Sequence, residues 1–396
     1  MDKINFFPTN LDVQNKKIIL RLDLNVPLKD KVIEDYTRID LCLPFIKRLI
    51  GKKAKIIIIS HLGRPKGNKD PALSLMPIYK YLKKKLQTNV YFFMGKFDDE
   101  VKDKFSHLKE GEVILIENIR YFREETEDDD NFSKKLGSLA DIYINDAFSC
   151  SHRKQASVHK ITKYINISFA GPLLKKEIDA INLVIKNKKT PVTCIIGGSK
   201  ISTKINVIIS LLEKIDNLII VGAMANNFLV YKNFKIGKSL VENNTMEIIK
   251  KIYNKASENN CEIIIPEDCM VGTSFEGEGK NKDLDSIQEN EIILDIGSNT
   301  ISSIKKKIEQ SNTVLWNGPA GYCENENFAN GTRSIAKTIS KNTLERSLIS
   351  VLGGGDTLAA INKSKNELSF SHLSTAGGAF LEYLEGKDLP GLSVLK

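Results

Sequence analysis

One pattern constrains this chain more than any other: short apolar runs that stop abruptly in a charged or glycine-rich turn, each followed by a segment of helical period. In the first half the runs are KKIILRLDLNVP (16–27), AKIIIISHLGRP (54–65), NVYFF (89–93), EVILIENIRYF (112–122) and DIYINDAFS (141–149). Helical patterns such as TRIDLCLPFIKRLI (37–50) and MPIYKYLKKKLQ (76–87) lie between them. Apolar strands alternating with helices specify a parallel sheet covered on both faces. The second half repeats the scheme with VTCIIGGSK (192–200), NLIIVGAMAN (217–226), EIIIPEDCM (262–270), TVLWNGPAG (313–321) and SLISVLGGGDT (347–357). The chain therefore reads as two doubly wound α/β domains. The segment 171–189 has a helical period, opens on Gly171-Pro172 and reads as the helix joining them.

A length of 396 residues suits two domains with sizeable cores. No apolar run reaches the length that spans a bilayer and no signal-peptide pattern is present, so a cytoplasmic protein is expected. The six cysteines show no CxxC pair and no metal-ligand rhythm, which suits a reducing compartment. The net charge of +9 is spread over lysine-rich helix faces. It argues for attraction of small acidic molecules rather than for specific nucleic-acid binding. The acidic run EETEDDD (124–130) lacks the spacing of a calcium loop and is expected to be a solvated loop or helix start.

In open parallel sheets, ligands bind outside the carboxyl ends of the strands. In the first half those ends carry Arg21, Asp23 and Asn25; His61 and Arg64; Arg120; and His152 with Arg153, while Arg38 opens the helix after the first strand. Positive groups gathered on one rim are relieved by a bound polyanion, so this half reads as a receptor for a small, highly anionic, non-nucleotide compound. Gly63 lets the backbone approach closely. In the second half the ends carry Gly197-Gly198-Ser199-Lys200 with Lys204, and Gly353-Gly354-Gly355-Asp356-Thr357. Glycine-rich turns can present N–H groups to phosphates at a helix N-terminus, and Asp356 can serve magnesium. The GKS at 237–239 has Lys232 where a P-loop needs glycine, and Leu358 stands where a dinucleotide fingerprint needs its last glycine. Neither a kinase HRD/DFG set nor a GxSxG elbow occurs.

The motifs RLDLNVP, SHLGRP, DAFSCSHR, GGSKISTK, WNGPAG, GGGDT and LEGKDLPG, in this order, resemble those of phosphoglycerate kinase. The resemblance implies two Rossmann-like domains in a cytoplasmic monomer. It also implies reversible phosphoryl transfer from 1,3-bisphosphoglycerate to Mg-ADP, giving 3-phosphoglycerate and ATP in glycolysis. On this sequence Asp23, Leu24, Asn25, Arg38, His61, Leu62, Gly63, Arg64, Arg120 and Arg153 match phosphoglycerate-binding positions. Lys200, Lys204, Glu324 and Gly353 to Thr357 match nucleotide positions, with Glu324 on the ribose and Asp356 on magnesium. Arg38, Lys200, Lys204, Gly354 and Gly355 would stabilise the transferring group.

The implied domains are 1–170, binding phosphoglycerate, and 189–375, binding Mg-nucleotide, joined by a helix 171–188, with 376–396 returning to the first. Transfer then needs hinge closure and no covalent intermediate. Ser149 and Cys150 stand where most members have Gly-Thr, and Ala223 and Ala376 replace glycines. Ala376 would be costly if its backbone needs positive φ. Two rivals are a non-catalytic basic RNA-binding protein on the same scaffold and an NAD-dependent oxidoreductase.

Overall fold

The computed structural model describes residues 4–97, 100–362 and 367–396. The chain divides into two compact units, residues 1–178 with 388–396, and residues 179–387. The first unit carries β1 (Lys17–Leu22), a short hairpin of β2 (Leu28–Lys29) and β3 (Val32–Ile33), then β4 (Lys55–Ile59), β5 (Val90–Phe93), β6 (Val113–Ile116), β7 (Ile142–Asp146) and β8 (Ile167–Ala170). Six of these form one parallel sheet in the order β5-β6-β4-β1-β7-β8. The strands are apolar on both faces because helices cover both, and Ile18, Leu20, Ile56, Ile58 and Ile144 sit in the core with the helix Thr37–Gly51.

The second unit carries β9 (Val192–Ile196), β10 (Asn217–Ile220), β11 (Glu262–Ile264), β12 (Asp268–Gly272), β13 (Lys280–Asp283), β14 (Ile292–Ile296), β15 (Thr313–Asn317), β16 (Ile349–Gly353) and β17 (His372–Ser374). Its parallel sheet runs β11-β10-β9-β15-β16-β17. Both sheets are doubly wound: successive strands leave β1 and β9 toward one edge, then β7 and β15 start again on the other side. The switch points, β1/β7 and β9/β15, are where such sheets open a crevice.

The run EIIIPEDCM, expected as one strand, is two strands in different sheets. Pro266 has no N–H to give to a ladder, so the run breaks there: β11 stays in the parallel sheet while β12 pairs antiparallel with β13 and β14. That small sheet covers its own cluster of Leu229, Ile236, Val271 and Leu284. Strands β8 and β17 are short edge strands that the apolar-run reading did not single out.

The joining helix runs Pro172–Ile185, and the division between the units falls inside it. The return to the first unit begins at Asp388, not at 376. Residues Gly378–Leu384 form a helix against the helix Ile205–Leu212, where Ser210 Oγ donates to Leu384 O at 3.2 Å, so this stretch belongs to the second unit. Beyond it, Gly391 N donates to Ser151 O at 2.8 Å and Asn5 N donates to Leu395 O at 2.7 Å.

At the start of the joining helix Asp146, the last residue of β7, accepts the Leu174 N–H at 2.9 Å. Burial pushes its carboxyl up to about 7, against the N–H groups of Leu174 and Leu173 and the charge of Lys176. Between the ordinary carboxyl value and that value the folded state holds a proton the unfolded chain releases, so stability falls as pH rises through this window. Asp146→Asn is expected to remove this share of the slope, leaving that of Asp295, which burial also raises to about 7. Melting temperatures at pH 5 and pH 8 check it: the drop between them should be smaller in the variant.

Candidate active site

At the carboxyl ends of β1, β4 and β7 the loops are tied to one another. Asp23 Oδ1 accepts the Asn25 N–H at 3.1 Å, and Asn25 Oδ1 accepts the Gly63 N–H at 2.9 Å. Asp23 Oδ2 takes Arg38 Nη1 at 2.9 Å and Ser149 Oγ at 2.6 Å, and Arg38 Nη1 also donates to Asn25 O at 2.9 Å. Gly63 stands at φ +60°, a left-handed conformation that other residues adopt only with strain, and a Cβ there would also press on the Leu73 side chain at 2.7 Å. Ser149, one of the two departures in the DAFSCSHR motif, thus adds a hydrogen bond to the carboxylate that anchors Arg38.

Arg21 lies wholly buried beneath this rim. Its Nε donates to Ser157 Oγ at 3.0 Å, its Nη1 to Leu22 O at 2.5 Å, and its Nη2 reaches His61 Nδ1 at 3.3 Å and Cys150 Sγ at 3.7 Å. Arg120 donates to Gly63 O at 2.8 Å and to Gln155 Oε1 at 3.4 Å, and its Nε is buried with no hydrogen-bond partner among the described residues. Burial, then the charges of Arg21, Arg120, Arg38 and Arg153, hold His61 well below the usual imidazole range, so the ring is neutral. Arg64 and Arg153 are exposed.

Leu24 and Leu62 do not present side chains to the rim. Both are core residues, and their N–H groups are taken by Ser60 Oγ at 2.9 Å and Asn118 Oδ1 at 3.2 Å. The acidic run 124–130 also departs from expectation. Glu125 is fully buried, accepting Ser157 N at 2.8 Å and Ser157 Oγ at 2.7 Å, and Asp128 pairs with His159 at 2.8 Å. A buried cation such as Arg21 needs a counter-charge, and Glu125 supplies it through the serine. Nothing local separates Glu125 from its solvated neighbours.

In the second unit the helix Ile205–Leu212 begins after Lys204, whose Nζ reaches across the β9/β15 switch point. It donates to Gly197 O at 2.6 Å, to Asn317 Oδ1 at 2.7 Å and to Asn317 O at 3.2 Å. Burial lowers its pKa to about 8, with Cys194 and Asp356 acting in the opposite sense. Asn317 was not singled out from the sequence, although it ends β15 inside WNGPAG and the strand-end rule applies to it. Gly354, at φ +101°, turns the chain from β16 into the helix Gly355–Asn362. Thr357 Oγ1 is buried and accepts the Gly318 N–H at 2.7 Å, tying this loop to the end of β15. Asp356 is exposed in the first turn of the helix, and Lys200 and Glu324 are exposed too. In the STAGG turn the left-handed position is Gly377, at φ +53°, so Ala376 carries no such strain.

The family model for phosphoglycerate kinase matches residues 9–387. The chain belongs to the phosphoglycerate kinase family. It is 44% identical over 389 residues to the phosphoglycerate kinase of Wolbachia pipientis wMel, covering 98% of this chain and 97% of that protein. It is 43% identical over 387 residues to that of Dictyoglomus turgidum, covering 97% and 96%. Among solved structures, phosphoglycerate kinase from Coxiella burnetii superposes with a TM-score of 0.87 at 39% identity over 98% of this chain and 97% of that one. The enzyme from Pyrococcus horikoshii OT3 gives 0.82 at 30% identity over 98% of each chain. Two parallel-sheet units agree with these structures, and the comparisons support a glycolytic kinase and not an RNA-binding scaffold protein.

Proposed function

We propose that the rim of the first unit binds 3-phosphoglycerate or 1,3-bisphosphoglycerate, that the glycine loops of the second bind ADP or ATP with magnesium, and that a phosphoryl group passes reversibly between the two. The observation that carries this reading is the convergence of Arg38, His61, Arg64, Arg120 and Arg153 on one sheet end, over buried Arg21. Arg38 is held by Asp23 and Asn25 and faces the acyl-phosphate end of the substrate, while Arg64 and Arg153 meet its other anionic groups. His61, being neutral, adds a hydrogen bond without adding charge.

On the nucleotide side, the N–H groups at Gly354 and Gly355 open a helix toward the phosphates. Lys204 and Lys200 neutralise the transferring group, and Glu324 takes the ribose. The donor set suits magnesium: Asp356 is an exposed carboxylate in the first helical turn, and this ion takes few protein ligands beside phosphate oxygens and water. When bound, magnesium supplies positive charge to the phosphate oxygens. An acyl phosphate is already activated, so the protein contributes alignment and fixed charge and no nucleophile.

Because the rim and the loops stand on different units, transfer requires closure, which also excludes water. The chain acts as a cytoplasmic monomer on free small molecules, without a nucleic-acid or membrane partner. Purified protein given 3-phosphoglycerate, ATP and magnesium, coupled to NADH oxidation through glyceraldehyde-3-phosphate dehydrogenase, should turn over, with a smaller radius of gyration when both substrates are bound. Folded protein without turnover would defeat the reading.

A further inference from the structure

Below the rim of the first unit a line of hydrogen bonds runs from a carboxylate to an imidazole, and the chemistry of its members leaves one direction for each proton. Arg21 has donors only, so the 3.3 Å contact between its Nη2 and His61 Nδ1 is a donation to Nδ1. The neutral ring then carries its proton on Nε2. Ser157 Oγ accepts from Arg21 Nε at 3.0 Å, which leaves its own proton for Glu125 Oε1 at 2.7 Å, while Ser157 N–H takes Oε2 at 2.8 Å. Tyr143 Oη pins the same serine by donating to its carbonyl at 2.8 Å. Glu125, Ser157 and Arg21 are fully buried, and His61 is nearly so.

We propose that Glu125, Ser157 and Arg21 form a positioning relay that holds His61 as a neutral imidazole with Nε2–H as its one ring donor, oriented for the phosphoglycerate in the cup. This deepens the substrate reading above and rests on it. The groups facing His61 agree: Arg21, Arg120, Arg38 and Arg153 are all cationic and disfavour a second ring proton, and the thiol of Cys150, 3.6 Å from the same Nδ1, has at most a weak proton to offer it. Without the relay the guanidinium would keep only Leu22 O and Cys150 Sγ beside the ring and no acceptor for Nε, so its aim at Nδ1 would loosen and the ring could bind its proton on either nitrogen. The substrate would then meet an acceptor where it needs a donor in the share of molecules that carry the Nδ1–H ring. Glu125, Ser157 and Arg21 come from three separate stretches of the chain: both Glu125 oxygens go to Ser157, Ser157 Oγ goes to Arg21 Nε, and Arg21 Nη2 meets the ring while its Nη1 is fixed on Leu22 O.

The full chain carries five histidines, so histidine-selective ¹⁵N labelling with long-range ¹H–¹⁵N correlation, assigned with His61→Gln, reads the tautomer directly without substrate. His61 should show the Nε2–H tautomer, neutral from pH 5.5 to 8. An Nδ1–H tautomer or an imidazolium in that range overturns the proposal. Ser157→Ala should mix the tautomers and raise KM for 3-phosphoglycerate about tenfold, with kcat and the KM for ATP little changed. Ser157→Thr should restore both signals. A Ser157→Ala protein that folds with an unmixed tautomer and wild-type KM overturns the relay. Should it not fold, the wild-type tautomer and the threonine variant decide. A wild-type protein with the expected tautomer and no phosphotransferase activity leaves the relay standing and removes the substrate reading.

Discussion

Arg38→Ala is expected to lower kcat/KM for 3-phosphoglycerate by about 100- to 1,000-fold, the usual worth of one preorganised charge aimed at a transferring group. Two things are lost together. The guanidinium that meets the substrate disappears, and Asp23 keeps only Ser149 on the oxygen that held Arg38, so a less compensated carboxylate is left in an anion site. Arg38→Lys should recover little, because one ammonium cannot hold Asp23 Oδ2 and Asn25 O and still present a planar fork to phosphate. Arg38→Ala combined with Asp23→Asn should regain part of the loss. Steady-state kinetics with 3-phosphoglycerate varied at saturating ATP checks this, and a loss below about threefold for Arg38→Ala would remove it from the transfer step. The KM for ATP should stay near the wild-type value, since Arg38 belongs to the unit that holds the other substrate.

The second large effect is at Lys204. Its removal as Lys204→Ala should cost about 100- to 1,000-fold in kcat, again as the loss of one fixed charge on the transferring group. The same residue should set the alkaline side of the pH profile. Burial lowers its pKa to about 8, and the active form is the ammonium, so kcat/KM for the nucleotide should fall as pH rises through about 8. In the kcat profile, which reports the complex, bound phosphates favour the ammonium and move the limb to higher pH. Stability runs the other way. Between about 8 and the ordinary lysine value the unfolded chain binds the proton that the folded state has lost, so the folded state gains stability as pH rises across that window. A profile flat from pH 7 to 9.5 would show that the cage of Gly197 O and Asn317 keeps Lys204 charged throughout. Asn317→Ala should move the limb to still lower pH, because two of the oxygens that favour the ammonium are on Asn317 and its side chain supplies one of them.

How much of this was legible before the structure depends on how far apart the cooperating residues lie. The parallel sheets were legible because a strand buried on both faces writes itself as a run of apolar residues, as in KIIII and VTCII, and because each run stops where the chain leaves the sheet. The site residues were legible for the same reason: Asp23, His61 and Gly354 stand within two residues of strand ends and Lys204 opens the helix after β9, so the rule that ligands bind there finds them from spacing alone. The three-stranded antiparallel sheet was hidden because β13 is polar, KNKD, and β12 lies past the interruption at Pro266; β14, IILDI, is an apolar run that was not singled out. The leucines of LDL and HLG looked like part of the site because their neighbours are. Their side chains point into the core since alternate residues of an extended chain face opposite ways.

What the sequence by itself determined is therefore local and periodic: two doubly wound units, the chemistry placed at the strand ends, and the family, whose motifs are contiguous. What only the tertiary structure decided is which charged and polar side chains leave water and whom they meet there. Glu125 reads as one acid in an acidic run until Ser157, 32 residues later, and Arg21, 136 residues from that serine, close around it. Lys204 reads as a phosphate lysine until Asn317, 113 residues away, cages it. A buried charge is stable only beside its partner, and in a doubly wound sheet the partners come from strands, helices and turns that neighbour in space and not in sequence, so no short window along the chain contains both.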